Sequence, residues 1–402
     1  MKKIHFDGTH RVRRPEETWA LVDGLRSRFG ITRVADVTGL DILGVPVVMA
    51  VRPAAKTHPV SPGRGTSLLL ARLSAVMKSV EVWHAEYACP AADVRETPAA
   101  GLGLPYDVTD LPQHQGSLLT DRTPLDWVVG TDALSGARTL VPRSCVTVDH
   151  EVSDVWQPPL LHGSTNGLAS GNSYDEAVTH ALYEVIRADC AARDCAAGAG
   201  STPVTRHRRV QPASVDDPVC AEVLSRIAEA GARVEIVDVR NRWGLSCFVT
   251  YIRSEDSPAP AVGSGVHGSP AVALSRAVTE SAQRRLAATA GSGDDLSAAL
   301  FSDGPAQTGP PPAVECPVVG GPGPAVEGPA VPWKDVSAVS HEFAEDTDEA
   351  RWLAEQVHLR TGRPPVVVDL GTEPGFSVVK VVAAGLAPGG RHQISRPRRD
   401  RP

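Results

Sequence analysis

The amino-acid sequence predicts an α+β fold, because two kinds of hydrophobic pattern alternate along the chain. Short runs of β-branched residues bounded by Gly and Pro indicate buried strands, which lie at 45–51, 247–252, 366–370 and 376–382. Longer segments with apolar residues at helical spacing indicate helices, which lie at 66–86, 175–189 and 269–289. No internal repeat is visible, which disfavours solenoids and propellers.

The composition excludes several classes of protein. Of the 402 residues, 42% are apolar and 22% are charged, which is typical of a globular chain that buries a core. The net charge of −7 argues against a sequence-independent nucleic-acid binder, which needs a basic surface. No apolar stretch is long enough for a transmembrane helix, and the first residues lack the apolar core of a secretory signal.

The cysteines indicate the redox compartment. There are 7 cysteines, an odd number, and no pair is spaced as CxxC, which disfavours a disulfide scaffold and a zinc ribbon. We therefore expect a soluble cytoplasmic protein that contacts neither membranes nor nucleic acids.

Two segments depart from globular composition. From 304 to 332, nine of the 29 residues are Pro and six are Gly, which is typical of a loop or linker. The last 15 residues hold five Arg and three Pro, which is typical of a flexible tail. We expect a core over 1–303, a linker or insertion over 304–332, a C-terminal part of the same domain over 333–387 and a basic tail over 388–402.

Each predicted helix carries one polar stripe beside its apolar face. Residues at i, i+4 and i+7 lie in one line along a helix. Such lines are formed by Ser74, Lys78 and Glu81, by His180, Glu184 and Arg187, and by Arg276, Glu280 and Gln283, with Arg285 nearby. One stripe alone is typical of a solvated helix face with weak local ion pairs. Three stripes could instead converge on one polar ligand, and spacing alone leaves both interpretations open.

A glycine-containing segment precedes each of these helices, at 63–65, 166–172 and 263–265. We expect turns here, because a glycine turn leading into a helix presents free N–H groups to an anion. The third segment, extended to Gly268, fits GxGxxG. The residues before it are polar and Pro-rich rather than a strand, which argues against a dinucleotide site. The sequence also lacks a P-loop, HExxH and GxSxG.

Several segments together resemble the YcaO family. They are 31–46 with 50–53 for the start of the domain, 74–86 for the first nucleotide helix, 166–172 with Glu176 and Glu184 for the second, and 271–295 for the third. The likeness runs from about residue 8 to about residue 386, with the Pro/Gly-rich segment as an insertion or long loop. It implies helices packed on mixed or antiparallel sheets around a central nucleotide site.

The resemblance also implies a function. YcaO proteins use ATP to activate a backbone amide of a peptide, mostly a ribosomally made natural-product precursor. The amide oxygen attacks the γ-phosphate, and a nucleophile then gives an azoline, a thioamide or an amidine. Gly8 to Arg11 with Pro15 to Thr18 looks most like stand-alone members, including those that work with a TfuA partner in thioamide formation. We therefore expect a precursor peptide and a TfuA-like or leader-binding partner protein, and the family also allows a homodimer.

The family's nucleotide site is matched residue by residue, with no catalytic residue assigned. The matched positions are Ser74, Lys78, Glu81, Asn172, Glu184, Arg187, Glu280, Gln283 and Arg285. The resemblance implies ATP and Mg²⁺ as cofactors, with Glu81 and Glu184 as the metal ligands, since Mg²⁺ prefers carboxylate oxygens.

The sequence departs from the family at several of these positions. Lys78 and Arg187 stand where the family usually has Glu, Ala188 replaces an Arg, and Gly293 interrupts a segment that usually carries Arg. The C-terminal end lacks the PxPxP of azoline-forming members, which puts azoline formation in doubt.

The two replaced glutamates change the charge of the expected site. Each change from Glu to Lys or Arg adds +2, so together they add +4, the charge of two Mg²⁺ ions. One hypothesis is that Lys78 and Arg187 bind the phosphates directly, with altered metal use. The alternative is an inactive site in a scaffold or peptide-binding subunit. That both are harmless exposed changes is the least favoured interpretation, because both fall on the polar stripes.

Overall fold

The computed structural model of the protein describes residues 2–114, 116–149, 158, 160–198, 207–257, 260–290, 329–337 and 339–387. The predicted basic tail, most of the Pro/Gly-rich segment and Gly293 lie outside these residues.

The described residues form helices and strands in alternation. The helices are α1 (Pro15–Asp23), α2 (Leu68–Trp83), α3 (Tyr174–Gly198), α4 (Pro218–Glu229), α5 (Pro270–Thr289) and α6 (Asp346–Thr361). The strands are β1 (Ile4–Phe6), β2 (Thr9–Arg11), β3 (Arg33–Asp36), β4 (Val47–Val51), β5 (Val60–Arg64), β6 (Val94–Pro98), β7 (Pro124–Asp132), β8 (Arg138–Pro142), β9 (Leu168–Gly171), β10 (Arg208–Val210), β11 (Arg233–Asp238), β12 (Ser246–Arg253), β13 (Ala261–His267), β14 (Val366–Glu373) and β15 (Phe376–Val382).

The strands form four antiparallel sheets within the described residues. The orders are β1-β2, β3-β4-β5, β10-β11-β12-β13 and β6-β7-β14-β15-β9, with β8 also paired to β7. In the largest sheet β15 lies between β14 and β9, so strands from both sides of the Pro/Gly-rich segment share one sheet. No helix of the described residues is both long and apolar enough to cross a bilayer.

Each of the three stripe-bearing helices packs on a different sheet. Helix α2 lies against β4 and β5, α3 against β9 and β15, and α5 against β12 and β13. Strand β4 is apolar throughout because both of its faces are covered. Val48 and Ala50 share a buried cluster with Ala75 of α2, whereas Val47 shares one with Leu286 of α5.

Helices α3 and α5 begin with residues that favour a helix start. The Ser173 hydroxyl accepts a hydrogen bond from the Glu176 backbone N over 3.2 Å at the start of α3. Pro270 occupies the first turn of α5, where its missing N–H costs no hydrogen bond. Helix α3 extends to Gly198, beyond the predicted end at Asp189.

The expectation of glycine turns before the three helices is wrong. Most of these residues lie in strands, with Gly63 in β5, Gly171 in β9, and Gly263 and Gly265 in β13, and the turn at 166–167 leads into β9 rather than into a helix. The reason is packing. A Cβ atom placed on any of these four glycines would lie far inside van der Waals contact with the backbone of the helix that follows its strand. The glycines therefore let each strand approach its helix closely.

We predict that Gly263→Ala destabilises the fold by about 1–3 kcal/mol, the usual cost of overpacking. The new methyl group would press on the Ala277 carbonyl and the Ser281 backbone N, neither of which can rotate away. Gly24→Ala is the control, because a Cβ there meets no atom within 4 Å. Urea unfolding midpoints measure both variants, and equal midpoints would contradict the packing argument.

Candidate functional site

The polar stripes of α2, α3 and α5 face a common space. Charges on one stripe shift the pKa values on the others, since Glu184 and Glu280 both act on Lys78. We call the six charged groups that meet here the central cluster: Arg64, Lys78, Glu81, Glu184, Arg187 and Glu280. The stripes therefore converge, and they are not three separate solvated faces.

Arg187 holds the carboxylate of Glu184, one turn before it on α3. Its Nη2 donates to Oε2 over 2.8 Å, and its Nε lies 3.2 and 3.4 Å from the two carboxylate oxygens. Loss of surrounding water opposes ionisation of Glu184, but the Arg187 charge outweighs it and lowers the pKa of Glu184. The Glu184 side chain is 40% exposed and the Arg187 side chain is 23% exposed. The pair therefore remains accessible to a ligand.

Glu280 has partners on both carboxylate oxygens. Oε1 accepts from Arg284 Nη2 over 2.9 Å, and Oε2 accepts from Arg64 Nη2 over 3.4 Å and from the Ser264 backbone N over 3.2 Å. Burial opposes ionisation, yet the positive charges around it, that of Arg284 foremost, hold the pKa of Glu280 at about 2. Glu280 is therefore ionised at neutral pH and fully partnered.

Strand β9, which precedes α3, binds one carboxylate oxygen of Glu81. Its Oε1 accepts from the backbone N of Ser170 over 2.8 Å and from the Ser170 hydroxyl over 2.6 Å. Loss of surrounding water raises the pKa of Glu81 to about 7, although these bonds and the nearby Lys78 favour the ionised form.

Lys78 is the exposed cation of the central cluster. Its side chain is accessible, although charged groups from three elements surround it, which is typical of a residue that lines an open space. Loss of surrounding water and the charge of Arg64 lower the pKa of Lys78. Among the described residues it makes no ion pair within 4.0 Å, so its ammonium group is available to a ligand.

The three strands before these helices connect the site in a ring. Each strand and the helix that follows it form one strand–helix unit, and each strand contributes a side chain that contacts the helix of another unit. Arg64 of β5 contacts Glu280 of α5, and Ser170 of β9 contacts Glu81 of α2. Ser264 of β13 contacts Arg187 of α3 and closes the ring. The carboxylates and cations are therefore fixed by residues far away in sequence.

Two further basic side chains, His180 and Arg276, lie one turn towards the N-terminal ends of α3 and α5. Arg276 stands over the Tyr183 ring at 5.9 Å, and burial together with the charge of Arg11 lowers the pKa of Arg276 to about 10. Burial and the same arginines hold the pKa of His180 well below its usual value, so His180 is neutral at neutral pH. Positive charge thus continues beyond the central cluster.

The other matched residues take different places. Gln283 accepts a hydrogen bond from Arg64 over 3.1 Å and so joins the central cluster, and Ser74 lies one turn before Lys78 on α2. Asn172 lies before the start of α3, where it bonds Glu176 over 3.1 Å. Its distance from Glu184 along the chain corresponds to roughly 18 Å of helix.

Arg285 points away from the central cluster. It forms ion pairs with Asp41 over 3.0 Å and with Asp256 over 2.7 Å. The structure therefore does not bring Asn172 or Arg285 beside Lys78, and their contact with a nucleotide stays a prediction.

Sequence reasoning missed three residues that act directly on the central cluster: Arg64, Ser170 and Ser264. Each lies beside a close-packing glycine, at Gly63, Gly171 or Gly263. Because strand side chains alternate in direction, the residue next to a glycine that faces its own helix points elsewhere. That alternation is the signal that could have identified them.

Comparison with known proteins identifies the family. The sequence profile described as YcaO cyclodehydratase, ATP- and Mg²⁺-binding, matches residues 62–387. The chain belongs to the YcaO family. The match covers α2, α3 and α5, so the whole central cluster lies within the YcaO domain.

The chain is also similar to curated proteins of Mycobacterium tuberculosis and Rhizobium leguminosarum. An uncharacterized protein of Mycobacterium tuberculosis is 42% identical over 299 residues, which cover 74% of this chain and 66% of the relative. An uncharacterized protein in the tfuA 3′ region of Rhizobium leguminosarum bv. trifolii is 35% identical over 301 residues, covering 71% of this chain and 69% of that protein. This chain therefore spans just under two thirds of the mycobacterial relative.

Solved structures confirm the α+β YcaO-type fold. A heterocyclase in complex with substrate and cofactor matches with a TM-score of 0.74 at 17% identity, over 94% of this chain and 53% of that chain. YcaO from Methanopyrus kandleri, bound with AMPPCP and Mg²⁺, matches with a TM-score of 0.68 at 22% identity, over 96% and 95% of the two chains.

The central cluster fits a polyphosphate better than it fits a divalent metal. Exposed and half-exposed cations suit phosphate oxygens. Magnesium prefers carboxylate oxygens, but both oxygens of Glu184 already face Arg187, and both oxygens of Glu280 have partners. Lys78 and Arg187 cannot ligate a metal at all, so the expected carboxylate set for Mg²⁺ is incomplete here.

We predict that Glu280→Gln lowers stability at pH 7 by about 1–3 kcal/mol, since it leaves the partly buried guanidinium groups of Arg64 and Arg284 without a charged partner. The pKa of Glu280 in the fold, about 2, lies below its usual 4.5. The ionised group therefore stabilises the fold above about pH 4.5, and this contribution is lost as the pH falls to about 2. The variant should show a shallower loss of stability across that range.

Urea unfolding at several pH values measures this difference. Glu222→Gln on α4 is the control, because its side chain is 63% exposed and, within the described part of the chain, pairs only with Arg226 one turn away. Identical acid profiles for Glu280→Gln and the unmodified protein would refute the assigned electrostatics.

Proposed function

We propose that this protein activates a backbone amide of a ribosomally made precursor peptide with ATP. The observation that supports the proposal is the convergence of three cation-bearing elements, β5, α2 and α3, on one accessible space in a YcaO-family chain. Phosphoryl transfer depends mainly on positioning and on neutralising the charge of the transferred group. Fixed cations around an open space can supply both.

The proposed reaction has two steps. The amide oxygen first forms a bond to the γ-phosphorus as the bond to ADP breaks, which gives a phosphorylated amide. A sulfide ion then adds to the amide carbon, and the carbon–oxygen bond breaks. Phosphate leaves with the former amide oxygen, and the peptide keeps sulfur as a thioamide. Lys78, Arg187 and Arg64 would hold the phosphates during the first step.

We favour a thioamide product over an azoline or an amidine. The support is the relative encoded in the tfuA 3′ region, which is 35% identical to this chain. A TfuA-like protein is accordingly the proposed partner, and the cytoplasm the proposed location. A matched microcin synthetase complex carries bound pro-microcin, and its TM-score is 0.57 at 12% identity. Assembly with partner proteins therefore has a parallel in the fold.

The second candidate function is a subunit that binds peptide without chemistry. The Arg187–Glu184 and Arg64–Glu280 ion pairs favour it, because they already neutralise one of the two expected metal ligands, Glu184, and the nearby Glu280. Such a subunit would bind the precursor and a partner, and would neither bind nor hydrolyse ATP.

The activity is tested with purified protein, a TfuA-like protein and precursor peptides from neighbouring genes. With ATP and sulfide, we expect phosphate release that depends on the peptide. We also expect a peptide mass change equal to the replacement of one oxygen by sulfur. Loss of one water would indicate azoline chemistry instead. No phosphate release with any precursor and partner would favour the non-catalytic subunit.

We predict that Arg64→Gln lowers kcat/KM for the peptide by about 100-fold, the usual loss when one fixed donor to a developing charge is removed. Arg64 belongs to the central cluster, and its side chain keeps 26% exposure. Arg351→Gln is the control, because that side chain is 74% exposed on α6. Equal kinetics for the two variants would remove Arg64 from the proposed site.

A further inference from the structure

We propose that this protein binds a nucleoside triphosphate without a divalent cation, with fixed side-chain cations in the place of magnesium. The inference rests on the proposed function, since it concerns how the same site takes its nucleotide. Its ligand is the metal-free triphosphate. The argument depends on the charges of the site, on the partners of its carboxylates and on the accessibility of its cations.

The first observation is the balance of charge. Five cations lie in or beside the central cluster, on four different elements: Arg64, Lys78, Arg187, Arg276 and Arg284. They face three carboxylates, those of Glu81, Glu184 and Glu280. The site therefore starts with an excess of positive charge before any ion is added. A polyanion gains from that excess, whereas a divalent cation is repelled by it.

The second observation is that the oxygens of two of the three carboxylates, Glu184 and Glu280, are already in use. Arg187 faces both oxygens of Glu184, and a neutral backbone N–H and two guanidinium groups share those of Glu280. Magnesium demands near-octahedral geometry and sheds its water reluctantly. To bind to Glu184 or Glu280 it would have to displace a guanidinium group, which leaves Glu81, held by Ser170, as the carboxylate of the central cluster without such a partner.

The third observation concerns Lys78. Its side chain is exposed, and among the described residues it forms no ion pair within 4.0 Å. Arg187 also has one donor that is directed away from Glu184. This donor, Nη1, makes a long hydrogen bond of 3.4 Å to the Ser264 hydroxyl. These groups can bind phosphate oxygens without breaking the ion pairs that hold the site together. An ammonium group and a guanidinium group together supply point charge and directional hydrogen bonds.

The inference is tested by calorimetric titration of the full-length protein with ATP, once in excess EDTA and once in Mg²⁺. We expect binding in EDTA that is at least as tight as binding in Mg²⁺. We expect the double variant Lys78→Glu/Arg187→Glu to lose about tenfold or more in EDTA, because it replaces two attractive charges with repulsive ones. The same variant should gain affinity when Mg²⁺ is added.

The control carries the same charge change elsewhere. Lys334→Glu/Arg351→Glu alters two exposed side chains on other elements and should bind ATP in EDTA as the unmodified protein does. If the double variant in the site fails to fold, the single variant Lys78→Met changes an exposed side chain that holds no ion pair with any residue that the structure describes. It should still weaken binding in EDTA by about threefold or more.

The outcomes separate this inference from the proposed function. Binding that requires Mg²⁺ in the unmodified protein would overturn the inference and leave the ATP-dependent activity standing. Binding in EDTA that the site variants leave unchanged would also overturn it, since the phosphates would then lie elsewhere. No binding in either condition would overturn the proposed function itself and indicate the non-catalytic subunit.

Discussion

The structure depends on the close approach of three strands to the helices that follow them. Gly63, Gly171 and Gly263 leave no room for a side chain between strand and helix backbone. This contact fixes the height and rotation of each helix over its own sheet. Because the polar stripe of a helix turns with the helix, the same contact fixes where its charged side chains point. A site made from three separate elements needs this rigidity.

The ring of contacts follows from that packing. In each strand the glycine faces its own helix, and the neighbouring side chain is free to reach another unit. Arg64, Ser170 and Ser264 use this freedom to hold carboxylates and a guanidinium group on other helices. The resulting site carries its own cations. In most phosphoryl-transfer sites a metal neutralises the phosphates, and we propose that fixed side chains take that role here.

The sequence predicted the parts of this arrangement that have a local pattern. The apolar periodicity gave α2, α3 and α5 and their polar stripes, since these stripes repeat within a few turns. The strands before them were missed because glycine is typical of both turns and tightly packed strands. Arg64 was missed for a different reason. Its partner Glu280 lies 216 residues away, and no local pattern reports such a contact. The orientation of Arg285 towards Asp41 was equally invisible.

The most direct test of the account is a structure of the protein bound to a non-hydrolysable ATP analogue in the presence of EDTA. The account predicts that the phosphate oxygens lie within hydrogen-bonding distance of Lys78 and Arg187, with the Arg187–Glu184 pair still formed. A nucleotide bound outside the space between α2, α3 and α5, or bound there only through a metal on Glu81 and Glu184, would contradict it.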